Sequence, residues 1–157
     1  MNRSENARAF CRLLAENPVI AAIKDEEGLA RCLESDCQVV FILYGTICDI
    51  GEIVARIQQA GKFPVVHLDL VSGLTPKEIS VDFICTYTGA QGIISTRPGV
   101  IKYSRQKGLL AIQRFFIIDS RALETMFRQL ETAAPDILEI LPGVMPRVTR
   151  SIQKKSP

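Results

Sequence analysis

The chain has no tryptophan, a single histidine, and only 6% aromatic residues in its length of 157. Its core must therefore be assembled from Ile, Val, Leu and Ala, an aliphatic and often β-branched set suited to buried parallel strands. The five cysteines (Cys11, Cys32, Cys37, Cys48, Cys85) form no CxxC pair and have no histidine at zinc-ligand spacing, which excludes the common zinc and dithiol motifs. An odd set in largely apolar surroundings reads as free thiols acting as small hydrophobes, and it points to a reducing cytoplasm. No apolar run reaches bilayer length, so no membrane contact is expected. The opening MNRSENARAFCRLL reads as a short amphipathic helix, without the uninterrupted apolar stretch of a secretion signal. Charge of one sign is also scarce. The net charge is +2 and the isoelectric point near 8.3, below the value of about 9 typical of a dedicated electrostatic nucleic-acid binder.

What is present is a globular composition, 47% hydrophobic and 23% charged, in a length suited to one domain. Short aliphatic runs alternate with helix-period segments. Strands are expected at 18–23, 38–43, 64–69, 92–95, 109–118 and 135–140, the first and third opened by proline, which a strand tolerates at its first residue. Helices are expected at 25–34 with Asp25 as N-cap, 50–60 closed by Gly61, 77–86, after Arg97-Pro98, from Asp119-Ser120 to 131, and 144–154.

Six strand–helix units in succession imply parallel strands with right-handed crossovers. A doubly wound sheet needs a Gly-rich turn after its first strand, and Ile23-Lys24-Asp25-Glu26 is not one. A barrel instead delivers polar residues from the C-terminal end of every strand. Here those ends carry Lys24, Tyr44, His67 with Asp69, Ser95 with Thr96, Asp119, and Glu139. The expected fold is α/β, a (β/α)₈ TIM-barrel type running C-terminally short with about six β/α units, as a single incomplete domain over 1–157. Ser156-Pro157 resembles the proline openings of earlier strands, so a seventh strand is expected to begin there. A six-stranded sheet would keep two open edges, which invite pairing between copies and make a homo-oligomer an expectation.

The strongest local cluster is VVHLDLVSGL, residues 65–74. His67 and Asp69, two apart on one strand, would share a face toward the lumen, where both could reach a ligand; alternatively His67 is a satisfied structural histidine. Lys24 could hold a phosphate or act as a Schiff-base lysine, or it snorkels at a strand end. Ser95, Thr96 and Arg97 precede a helix whose N–H groups could hold a phosphate, or they are an ordinary cap. Glu139 ends the sixth strand and Gly143 precedes the last helix, an anion site or simply a tight turn. Arg147, Arg150, Lys154 and Lys155 form a C-terminal run without acids, a phosphate-contacting patch or a solvated helix face. No Ser–His–Asp set, metal constellation or pair of catalytic carboxylates can be assembled.

The segments PVVHLDLVSGL, QGIISTRPGVIKYSRQKGLLAIQRFFIIDSRALE and APDILEILPGVMPRV closely resemble the glycerol uptake operon antiterminator regulatory proteins, from about Asn17 onward. The resemblance implies a (β/α)₈-type barrel that responds to glycerol 3-phosphate and binds leader mRNA, letting transcription pass a terminator ahead of glycerol-metabolism genes. It implies a regulator and not an enzyme, with no cofactor beyond glycerol 3-phosphate as effector. His67, Asp69, Ser95, Thr96, Asp119, Glu139 and Gly143 match the family's motif positions at the barrel mouth, and Lys24 joins them as a ligand-binding candidate from its strand end. Members continue into two further units with a small-residue phosphate loop. The competing readings are a small barrel enzyme acting on a phosphorylated metabolite, with Lys24 or His67/Asp69 as acid–base groups, and a truncated, non-functional barrel.

Overall fold

The structure is a computed structural model that describes residues 3–155; the expected start of a seventh strand at Ser156-Pro157 lies outside the described residues. The elements run α1 (Arg3–Glu16), β1 (Ile20–Ile23), α2 (Glu26–Glu34), β2 (Val39–Ile42), α3 (Ile50–Gln59), β3 (Phe63–His67), a 3₁₀ turn (Leu68–Leu70), α4 (Glu78–Tyr87), β4 (Gly92–Ser95), α5 (Pro98–Gln106), β5 (Leu110–Phe116), α6 (Ser120–Ala133), β6 (Ile137–Leu141) and α7 (Pro146–Lys155). All six strands are parallel and in sequence order in one sheet. One cavity touches Ile20 and Ala22 of β1 as well as Ile137, Leu138 and Glu139 of β6, so the sheet curls until its edges face one space. This is the α/β partial barrel expected from the strand–helix alternation. Among the described residues, β1 and β6 each pair on one side only.

Strand alternation sorts the aliphatic residues into two cores. On the convex side, Ile23, Val40, Ile42, Val66 and Ile93 pack with Leu29, Ile50, Ile53, Val54, Ile57, Val81 and Ile84 of the surrounding helices. On the concave side, Val39, Phe41, Phe63, Val65, Ile94, Leu110 and Ile112 form the wall of the lumen. Phe10 of α1 joins that second cluster, so α1 closes the N-terminal end of the half-barrel. Arg3 Nη1 reaches Asp136 Oδ1 at 2.6 Å, and Asn6 Nδ2 donates to the Gly108 carbonyl at 3.3 Å. The amphipathic N-terminal segment is thus the bottom seal of the fold.

Local chemistry accounts for the element ends. Asp25 and Asp119 cap α2 and α6 through side-chain acceptance from Gly28 N and Ala122 N, each at 2.7 Å. Gly61, at φ +73°, takes the left-handed position after α3 that a residue with a Cβ resists. α7 begins at Pro146 and not at Val144, because proline is preorganised for the first helical turn. β6 begins at Ile137 because Asp136 is committed to capping the sheet end: its Oδ2 accepts from Ala111 N at 3.0 Å. One expectation is corrected. β3 ends at His67 and the chain turns into the 3₁₀ segment, so Asp69 does not share a strand face with His67. The Asp69 carboxylate instead collects donors from the end of β4, and this draws the backbone out of the extended conformation. Among the described residues, no helix is long and apolar enough to cross a membrane.

Candidate functional site at the mouth of the half-barrel

The register that places Val65 and Ile112 in the lumen also sends His67 and Arg114, two residues further along each strand, to the same face near the C-terminal end. Arg114 pairs in register with Glu139 of β6. Their side chains make a fork: Nε to Oε2 at 2.6 Å and Nη2 to Oε1 at 3.0 Å, with side chains 12% and 23% exposed. Two parallel charge-assisted bonds of this length fix both groups in the mouth.

His67 is 2% exposed, and its Nδ1 finds no hydrogen-bond partner among the described residues. Burial, reinforced by the Arg114 guanidinium, holds its imidazole below the usual histidine range, against the opposing pull of Asp69 and Glu139. It is therefore neutral near pH 7, with one donor and one acceptor nitrogen. Because the folded state takes up this proton less readily than the unfolded chain, stability is expected to fall as pH drops below about 6.5, the unperturbed histidine value. Urea denaturation at stepped pH should show this loss, and His67→Gln should flatten it. An unchanged slope in that variant would assign the loss to other groups.

Asp69 serves as a latch. Oδ1 accepts from Ser95 Oγ at 2.6 Å, and Oδ2 accepts from Thr96 N and Thr96 Oγ1, each at 2.8 Å. Ser95 Oγ in turn accepts from Arg97 N at 3.1 Å. The loop after β3 and the end of β4 are thereby locked together beside His67. The remaining residues singled out from the sequence spread around the rim. Lys24 is exposed just past β1, Asp119 is an exposed helix cap, and Gly143 is exposed in the loop before α7. A Cβ on Gly143 would meet nothing within 4 Å, so no close approach requires glycine there. Tyr44, at the end of β2, donates to Glu26 Oε1 at 2.8 Å, and Arg56 holds the other oxygen of that carboxylate.

The mouth thus brings together His67, Asp69, Ser95, Thr96 and Glu139, and leaves Lys24, Asp119 and Gly143 at its margin. Arg114 is the member that reading the sequence missed. Its signal was present: in LAIQRFF the arginine stands two residues after the lumen-facing Ile112. Arg147, Arg150 and Lys154 lie within one exposed stripe of α7, while Lys155 Nζ turns back to 5.4 Å from the Phe127 ring. Among the described residues, no three His, Cys, Asp or Glu side chains gather as a metal site.

Comparison with known proteins decides what kind of molecule carries this site. A family model described as glycerol-3-phosphate responsive antiterminator matches residues 19–157. The chain belongs to that family. It is 43% identical over 143 residues to the uncharacterized protein YgcP of Escherichia coli strain K12, an alignment covering 91% of this chain and 75% of that protein. The glycerol uptake operon antiterminator regulatory protein of Listeria monocytogenes superposes with a TM-score of 0.83 at 35% identity, over 90% of this chain and 78% of that one. The antiterminator-related protein of Thermotoga maritima gives 0.76 at 34% identity, over 85% and 76%. The chain therefore spans about three quarters of these relatives' length, and two solved structures share its fold over the aligned part.

Proposed function

We propose that the chain is a transcription antiterminator that responds to glycerol 3-phosphate and binds the leader RNA of glycerol-metabolism genes in the cytoplasm. The observation that carries this reading is the family match over residues 19–157, and the polar mouth of the half-barrel supports it. In this reading the effector enters the C-terminal mouth. His67 and Glu139 face it there, Ser95 and Thr96 are held by Asp69, and Lys24, Asp119 and Gly143 line the rim. The RNA backbone lies along α7, where Arg147, Arg150 and Lys154 offer charge on one stripe and Lys155 adds charge from beside the Phe127 ring. The protein works as a regulator without catalysis and without a cofactor.

The test is leader-RNA binding across a salt series, with and without glycerol 3-phosphate, for the unmodified chain and for the variant with all four basic residues changed to alanine. Each phosphate contact adds roughly 0.7–0.9 to the slope of log affinity against log salt, so the variant, lacking four contacts, should lose a slope of about 3–4. The effector should change RNA affinity by about fivefold or more, the usual floor for coupled sites. Affinity independent of glycerol 3-phosphate at every salt concentration would sink the regulator reading. An unchanged slope in the variant would move the RNA interface off α7.

A further inference from the structure

We infer that His67, Arg114 and Glu139 bind the hydroxyl-bearing end of a polyol phosphate, and that its phosphate group is held elsewhere. The inference rests on the effector reading above and specifies which part of the effector this site takes.

Charge is the first argument. The Arg114 guanidinium is already matched by Glu139 through the fork at 2.6 and 3.0 Å, and the Asp69 carboxylate stands close enough to act on His67 electrostatically. A phosphate dianion placed against this cluster would meet two carboxylates and one cation, and like charges at short range disfavour it strongly. A neutral hydroxyl group meets no such opposition.

The second argument is the inventory of donors and acceptors. Arg114 has five N–H groups and spends two on Glu139, leaving three. Each Glu139 oxygen has a second lone pair to offer. His67 adds a buried Nδ1 without a partner. A phosphate oxygen at neutral pH mostly accepts, whereas an alcohol both donates and accepts. Only the alcohol can use the carboxylate and the guanidinium together, and neighbouring hydroxyls suit a fork of alternating donors and acceptors.

The third is the space. A lumen cavity of about 340 Å³ reaches Glu139 and is otherwise lined by apolar side chains, including Phe10, Ile20, Ile112 and Ile137. It gives a ligand an approach to Glu139, stops short of His67 and Arg114, and offers a phosphate no donor. The phosphate must then point away from β3, β5 and β6.

His67 is the single histidine of the chain, so its imidazole signals in an NMR spectrum belong to one site. The experiment titrates the full chain with glycerol, with glycerol 3-phosphate and with inorganic phosphate, and follows those signals alongside the melting temperature. Glycerol and glycerol 3-phosphate should move the His67 signals saturably and compete with one another. Inorganic phosphate should leave them unmoved at the same concentrations. Glu139→Gln, checked for folding by its melt, should weaken both polyols by about tenfold. If inorganic phosphate moves His67 and glycerol does not, the inference is overturned and the effector reading survives. The same holds if glycerol 3-phosphate raises the melting temperature while His67 stays still. If none of the three ligands moves either observable, both fail.

Discussion

Phe10→Ala should lower the stability of the fold by about 3–5 kcal/mol, the usual range for emptying a buried aromatic site. Phe10 is 1% exposed. Its ring stacks on Phe41 at 6.5 Å and meets the edge of Phe63 at 5.9 Å, filling the bottom of a lumen that the neighbouring aliphatic residues cannot fill alone. Against a typical total of about 5–15 kcal/mol, such a loss should bring the urea midpoint down sharply. A change under about 1 kcal/mol would mean that the half-barrel stands without its N-terminal seal, and α1 would be an appendage.

The second large effect belongs to that pair. Removing one member of a fully buried ion pair costs about 3–5 kcal/mol, since the other charge is left without compensation. With 12% and 23% of the side chains exposed, water screens part of this, and Arg114→Ala should cost about 2–3 kcal/mol. The double change Arg114→Met with Glu139→Leu should cost less than either single substitution, because it leaves no orphaned charge and adds apolar packing. A double-mutant cycle measures this directly, and purely additive costs would show that the fork contributes nothing beyond its separate side chains. A second readout comes without extra effort. Since Arg114 helps hold the His67 imidazole below its usual range, its removal should let His67 titrate at higher pH.

The element pattern was legible because each strand is a short aliphatic run bounded by caps and prolines, and the period changes cleanly from strand to helix. The barrel curl was legible from polar residues at successive strand ends. The site was harder to read for two physical reasons. Arg114 sits inside a run of apolar letters, and its partner is 25 residues away in sequence; only the parallel register of β5 and β6 brings them opposite. Asp69 looked like a lumen-facing strand residue, yet three donors from Ser95 and Thr96 bend its segment into a turn. The alternation rule holds only while the backbone stays extended, and a side chain that captures distant backbone groups ends it. Asp119, in contrast, fits both a mouth residue and a helix cap by sequence, and the cap is the contact it makes.

The way α1 is fastened has a consequence for how the molecule comes into being. Its partners are Phe41 and Phe63, the carbonyl of Gly108, and Asp136, and the last two are made long after the helix itself. During synthesis, which proceeds from the N-terminus, Phe41 and Phe63 emerge early, but the polar ties of α1 to Gly108 and Asp136 stay unmade until most of the chain has left the ribosome. Pairings over such sequence separations also bear the largest loop-closure cost. A helix translated ahead of the whole sheet is thus among the last elements to be fully seated, and it closes the half-barrel from beneath once β5 and β6 are in place.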